Sequence, residues 1–274
     1  MTTKTISIIG GRGKMGNIFA KAFTAKGYSV IISGRETEIS PIEAAKKGDI
    51  VIVTIPISET EEIIKKIGPH VRTDALLTDF TSVKVYPCEA MKKYSKAEVI
   101  GGHPVFGPTV TFNKQNFVLC PIRGDKYLTW YKEFLSSLDI NVTVMTPEEH
   151  DKQMAVIQCL NQLSNFAFGR TLQKLNFNIQ SKITSPSYLL KLYGLGRVLD
   201  QDPGLYADIE VQNPYSKEVA AVFTKSAQEL EGLIKKNNKT DLEKTITEIK
   251  KYFGQTKKAT EITNEMLKTL NSKK

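Results

Sequence analysis

Apolar and polar positions follow two textures along the chain. In the first half, short apolar runs bounded by glycine, proline or acidic residues read as strands. Stretches with apolar residues three and four apart read as helices. The strands are "TISIIGG", "YSVIISG", "DIVIVTIP", "DALLTDFTS", "AEVIGGHPV", "QNFVLCPI" and "INVTVMTP". Between them lie helices in "GNIFAKAFTAKG", "IEAAKKG", "SETEEIIKKIGPHV", "YPCEAMKKYS" and "DKYLTWYKEFLSSLD". Strands alternating with helices predict right-handed crossovers and a mostly parallel sheet covered on both faces.

The texture changes at "VMTPEEHDKQM", where Thr146 suits an N-cap, Pro147 the first helical position and Glu149 a capping box. From there the pattern is helical only. Met154, Ile157, Leu160, Ser164, Phe168, Thr171 and Leu175 share one spacing, and further helices are predicted over 188–199, 215–236 and 240–270. In the last of these, Leu242, Ile246, Ile249, Phe253, Ile262, Met266 and Leu270 trace one face, with a break at Gly254. The division is therefore an α/β domain over residues 1–146 and an all-helical domain over 147–274.

Composition narrows the class. A chain of 274 residues with 41% hydrophobic and 24% charged residues is a globular protein with room for a core. No apolar run reaches the roughly 18 residues of a membrane span, and the N-terminus enters a strand at once rather than a secretory segment. A cytoplasmic location is expected. The three cysteines, Cys88, Cys120 and Cys159, are odd in number and widely spaced, which suits reduced thiols and no metal site. The net charge of +9 comes from lysines scattered over helix surfaces, without an aromatic-interleaved stripe, so nucleic acid is not an expected partner.

"IIGGRGKMG" places Gly11-x-Gly13-x-x-Gly16 between the first strand and the first helix. Such glycines permit a tight turn, a close approach of backbone to pyrophosphate, and close helix–strand packing, while the helix N-terminus supplies free N–H groups. A Rossmann-type dinucleotide site follows, built on Gly11, Arg12, Gly13, Lys14, Met15 and Gly16. NAD-binding domains usually end the second strand in an acid. This chain has Ser33, Gly34 and Arg35 there, a set that suits a 2′-phosphate and favours NADP, with Glu36 keeping NAD possible.

Ligands of open parallel sheets lie beyond the carboxyl ends of the strands. Pro56 after the third strand, Asp79, Ser82 and Lys84 after the fourth, and His103 after the fifth are the candidates there. His103 has the chemistry of a general base. Gly101 and Gly102 beside it are expected to let cofactor and substrate approach, and Pro104 to stiffen the exit. Of the other histidines, His70 is expected on the surface and His150 as a structural hydrogen-bond partner where the domains meet.

Together "IIGGRGKMG", "VIVTIPISET", "LLTDFTSVK", "GGHPVFGP", "PEEHDKQMAVIQCLNQLSNFAFG", "SPSYLLKLYGLGRVLDQDPGLYADI" and "KKYFG" resemble, in order and spacing, the prephenate dehydrogenases of the TyrA type. The likeness is strongest to the dehydrogenase part of the bifunctional chorismate mutase–prephenate dehydrogenases; the start at the first strand leads to the expectation of no mutase domain. The resemblance implies oxidative decarboxylation of prephenate to 4-hydroxyphenylpyruvate. It implies His103 as the base, Ser82 touching substrate and nicotinamide, Lys84 near that site, and Arg197 on a substrate carboxylate. By their residue type alone, Arg197 and Lys84 also read as ordinary surface cations.

Gln162 stands where many relatives carry a histidine tied to recognition of the substrate side chain, Leu189 where close ones carry an arginine, and Thr109–Val110 where an acid is common. These departures leave arogenate open as the substrate. A β-hydroxyacid dehydrogenase is a more distant alternative. The helical domain of the family implies a homodimer.

Overall fold

The computed structural model describes residues 4–271. The first half forms a seven-stranded sheet from β1 (Thr5–Ile9), β2 (Ser29–Ser33), β3 (Ile50–Val53), β4 (Leu76–Asp79), β5 (Glu98–Pro104), β6 (Asn116–Arg123) and β7 (Asn141–Val144), in the order β2-β1-β3-β4-β5-β6-β7. Pairing is parallel from β2 through β5, antiparallel between β5 and β6, and parallel between β6 and β7. The reversal has a local cause. Residues 105–115 contain no helix, so the chain cannot make a covered crossover and returns alongside β5 instead.

The period-two alternation of the strands sorts their side chains onto two cores. On one face Ile6, Ile8, Ile50, Ile52 and Ile100 pack under α1 (Lys14–Ala25) and α5 (Lys126–Ser136), which bring Phe19, Phe23, Tyr131 and Phe134. Phe23 stacks on Phe134 with ring centroids 4.0 Å apart. On the other face Val51, Val53, Leu77 and Val99 pack under α2 (Pro41–Lys47), α3 (Ile57–Ile67) and α4 (Val85–Tyr94). Each side chain so buried contributes roughly 1.5–3 kcal/mol. This frame holds the carboxyl ends of β1 and β3–β5 in register at one edge.

The helical half begins with α6 (Pro147–Met154), and its capping box forms as the sequence predicts: Glu149 N–H donates to Thr146 Oγ1 at 3.2 Å, and Thr146 N–H donates to Glu149 Oε2 at 2.9 Å. A π-helical stretch, Ala155–Leu160, joins it to α7 (Asn161–Lys174). Then come α8 (Pro186–Leu199), α9 (Pro203–Gln212), α10 (Ser216–Lys235), α11 (Lys239–Phe253) and α12 (Thr256–Asn271). The break between the last two falls at Gly254, whose φ of 73° ends α11. The sequence does not announce α9, because its apolar residues share no stripe: Ile209 is buried while Leu205 and Val211 are exposed.

The compact units divide the chain differently from the change of texture at residue 146. One runs to Gln158 and also takes in Gly204–Tyr215; the other comprises Cys159–Pro203 and Ser216 onward. Hydrogen bonds explain why α6 and α9 join the sheet. Asn213 Nδ2 donates to the Asp151 carbonyl at 2.8 Å, Ser58 N–H donates to Asp208 Oδ2 at 3.1 Å, and Asp151 accepts two N–H groups at the start of α4. Within the helical unit, α7 and α8 meet closely where Gly169 faces Leu195. No side chain of α11 is buried. Among the described residues no helix is long and apolar enough to cross a membrane.

Candidate active site

The glycine turn has the form its sequence requires. Gly13 precedes α1, and no side chain caps the N–H groups of that helix's first turn. A Cβ on Gly16 would lie 2.7 Å from Gly10 O, Gly11 Cα and Thr54 Oγ1, so only glycine lets α1 approach β1 and β3 this closely. Arg12, Gly13 and Lys14 are exposed and Met15 half-buried. Free amides, helix dipole and flanking cations make this cradle fit the pyrophosphate of a dinucleotide. Pro56 stands exposed at the start of α3, beyond the end of β3 that packs on the turn.

The end of β2 lies beside the turn, with Gly10 N–H donating to Ser33 O at 2.7 Å. Here one expectation changes. Ser33 is fully buried and its hydroxyl donates to the Ile39 carbonyl at 2.8 Å, because strand alternation turns it inward. It offers no hydroxyl to a ribose. Arg35 does face solvent, with its side chain 90% exposed and Glu59 3.3 Å away.

At the ends of β4 and β5 two further expectations change. Lys84 and Asp79 are fully buried and paired with each other. The Lys84 ammonium also donates to Gly102 O at 2.8 Å and to Thr81 Oγ1 at 3.2 Å. Asp79 Oδ2 accepts Thr81 N–H at 3.0 Å as well as the Thr81 hydroxyl. These contacts tie both side chains into the sheet edge, and neither is exposed to solvent. Gly101 and Gly102 likewise serve packing. A Cβ at Gly101 would lie 2.5 Å from Cys88 Sγ, and one at Gly102 would lie 2.8 Å from Asp79 O. Cys88 and Cys120 are buried free thiols whose pKa values burial pushes up, Cys120 to about 12, so neither is a ready nucleophile.

His103 closes β5 in a buried position. Its Nδ1 lies 2.7 Å from Nε2 of His150, and His150 Nδ1 lies 2.7 Å from Asp151 Oδ1. Asp151 Oδ1 accepts Lys84 N–H at 2.7 Å, and its Oδ2 accepts Val85 N–H at 2.9 Å. Nε2 of His103 makes no hydrogen bond among the described residues. Burial, His150 and the Lys84 ammonium hold the His103 pKa well below that of a free imidazole, so it stands as a neutral base at pH 7. Half-buried Ser82 lies in the loop after β4, the strand paired with β5. Sequence reasoning sees His150 as a hydrogen-bond partner but misses Asp151 and Asn213. Their polar character is the only local signal, and nothing local says what they meet. His70 is half-buried rather than exposed.

The helical unit holds the other two candidates. Gln162 in α7 is buried, and its Oε1 has no partner among the described residues. Arg197 in α8 is exposed and forms no ion pair among the described residues.

Comparison with known proteins places this geometry in a family. Residues 31–144 match the model of the prephenate dehydrogenase nucleotide-binding domain, and residues 146–248 that of the prephenate dehydrogenase dimerization domain. A Methanocaldococcus jannaschii protein named probable arogenate/prephenate dehydrogenase is 38% identical over 275 residues, covering 92% of this chain and 62% of its own length. The T-protein of Haemophilus influenzae is 32% identical over 252 residues, covering 91% of this chain and 67% of its own. The chain thus spans a little under two thirds of the first relative and 67% of the second.

Two crystal structures share the fold. Aquifex aeolicus prephenate dehydrogenase, in complex with hydroxyphenyl propionate and NAD+, superposes with a TM-score of 0.74 at 23% identity, covering 93% of this chain and 99% of that one. Synechocystis arogenate dehydrogenase gives 0.70 at 20% identity, covering 92% and 99%. With both halves matched in order, by a nucleotide-binding and a dimerization model, the chain belongs to the prephenate dehydrogenase family.

Proposed function

We propose that this protein oxidises and decarboxylates prephenate to 4-hydroxyphenylpyruvate, a step toward tyrosine, with NADP+ preferred over NAD+. The observation that carries the reading is His103: a neutral, buried imidazole at the carboxyl edge of the sheet, with one ring nitrogen held and the other bare. A nicotinamide dinucleotide, held by the glycine turn, would supply the hydride acceptor for the ring carbon that bears the hydroxyl.

His103 accepts the hydroxyl proton as that carbon becomes a carbonyl. The ring carboxylate then leaves as CO2, its bonding electrons aromatise the ring, and the resulting phenolate oxygen recovers a proton from His103. Charge and protons balance without a second base. Ser82 orients the substrate hydroxyl, and Arg197 pairs with a substrate carboxylate. The Rossmann turn, through Gly11, Gly13, Lys14, Met15 and Gly16, holds the pyrophosphate.

For the cofactor, Arg12 on the glycine turn and Arg35 after β2 are both exposed where those two segments adjoin, and they would clasp a 2′-phosphate. The Arg35–Glu59 contact is too exposed to hold Arg35 back. Arogenate is the second reading for the substrate, favoured by Gln162, whose uncommitted amide oxygen suits an ammonium better than a keto group.

A homodimer is supported by the helical unit itself. Ile246, Ile249, Phe253, Ile262 and Met266, the face drawn by the sequence, are each more than half exposed in the single chain. Reduced-cofactor formation with prephenate and with arogenate, each with NADP+ and with NAD+, tests the proposal. Turnover is expected with prephenate and NADP+. No turnover of either substrate by the folded protein overturns it.

A further inference from the structure

We infer that His150 and Asp151 act as positioning residues that lock His103 in one tautomer, with the proton on Nδ1 and Nε2 bare as the only basic nitrogen. The inference rests on the proposed role of His103 as base and adds the device that makes one particular nitrogen reactive.

The proton positions follow from the far end of the chain of contacts. Both oxygens of Asp151 accept main-chain N–H groups, from Lys84 and Val85, as those of a carboxylate do. A carboxylate has no proton to offer, so at 2.7 Å His150 Nδ1 must donate to it. A neutral imidazole with a proton on one nitrogen presents a lone pair on the other. His150 Nε2 is therefore an acceptor, and among the described residues its hydrogen-bond partner is His103 Nδ1 at 2.7 Å, which must donate. One hydrogen-bond direction runs through all three residues, from His103 to Asp151.

Neutrality of the pair is built in. His103, His150 and Asp151 are all buried, and burial holds both imidazoles below the ordinary histidine value. The other charged groups near them are the Lys84 ammonium, which opposes a second positive charge, and Asp79, which is already paired with it. The anchor is rigid. Asp151 comes from α6, caps the start of α4 that has no side-chain cap of its own, and has its carbonyl held by Asn213 beyond α9. When His103 takes a proton at Nε2, its Nδ1–H stays on His150, and Asp151 stabilises the new charge through that ring.

Imidazole 15N spectra of the 274-residue chain at neutral pH test this without a substrate. The chain has three histidines, so comparison with His103→Asn assigns the signals. The expected result is a protonated Nδ1 and an unprotonated Nε2 for His103. A protonated Nε2 overturns the inference.

Two variants test the consequence. His150→Leu removes the acceptor, so His103 should show a mixed tautomer and kcat should fall at least about tenfold with KM little changed. His150→Gln places an amide oxygen near the lost Nε2 and should restore the Nδ1–H signal and most of kcat. A folded His150→Leu with unchanged kcat overturns the inference, and if that variant does not fold, the wild-type spectrum decides. Failure of the wild type to turn over prephenate or arogenate would remove the proposed function, while the spectrum would still decide the tautomer.

Discussion

Replacing Lys84 with methionine separates a bracing role from a chemical one. Both partners of the Lys84–Asp79 pair are 0% exposed. Methionine keeps most of the volume but leaves buried Asp79 without its cation, with Oδ1 lacking a partner among the described residues and Oδ2 left only with Thr81. It also strips Gly102 O of its side-chain donor. Removing one member of a buried ion pair costs about 3–5 kcal/mol, because the survivor is stranded. The lost bond to Gly102 is not additive, since the same ammonium makes both contacts.

At about 2–4 °C per kcal/mol for a chain of this size, Lys84→Met should lower Tm by roughly 6–20 °C. Thermal unfolding followed by circular dichroism measures it. The double variant Asp79→Asn/Lys84→Met carries no stranded charge and should recover a substantial part of the loss. A single variant within about 2 °C of wild type would refute the bracing role. Full stability with abolished turnover would instead return Lys84 to the chemistry.

Stability should also depend on pH in a defined window. His103 and His150 both have lowered pKa values when folded, so above about pH 7.5 both rings are neutral in the folded and the unfolded chain and nothing is lost. Below it the unfolded chain binds up to two protons that the native state refuses, costing at most about 2.7 kcal/mol per pH unit. Urea midpoints at pH 7.5, 6.5 and 5.5 should fall most over the last interval, with part of the loss offset by Glu210, whose folded pKa burial raises to about 7. His103→Asn should flatten the fall, and a His103→Asn midpoint that falls as steeply as wild type contradicts the reading. Phe253→Asp, on the exposed apolar face of α11, should convert a dimer to a monomer in light scattering. A wild-type monomer at micromolar concentration would remove that reading.

Where the determinants are local, the sequence shows them. The strand–glycine–helix juncture of "IIGGRGKMG" needs only neighbours to define it, and the turn forms as read. The capping box at Thr146 and the break at Gly254 are equally local. Side-chain direction is harder. Ser33 sits where a ribose contact is expected, yet the pleat points it inward to Ile39.

Lys84 misleads because a lysine argues for exposure, and only the meeting of Asp79, Thr81 and Gly102 O makes its burial affordable. Gly101 and Gly102 look like room for a ligand but are room for Cys88 and Asp79. The partnership of His103 with His150 spans 47 residues, and that of Asp151 with Asn213 spans 62. No periodicity carries such pairs; they exist only once the sheet edge has been built.

The central claim, that His103 is the base of a prephenate-oxidising site, is tested most directly by steady-state formation of NADPH from prephenate by wild type and by His103→Asn. The account predicts a kcat lower by about 10²–10⁴-fold with the substrate KM little changed. A folded His103→Asn that keeps full activity would contradict it.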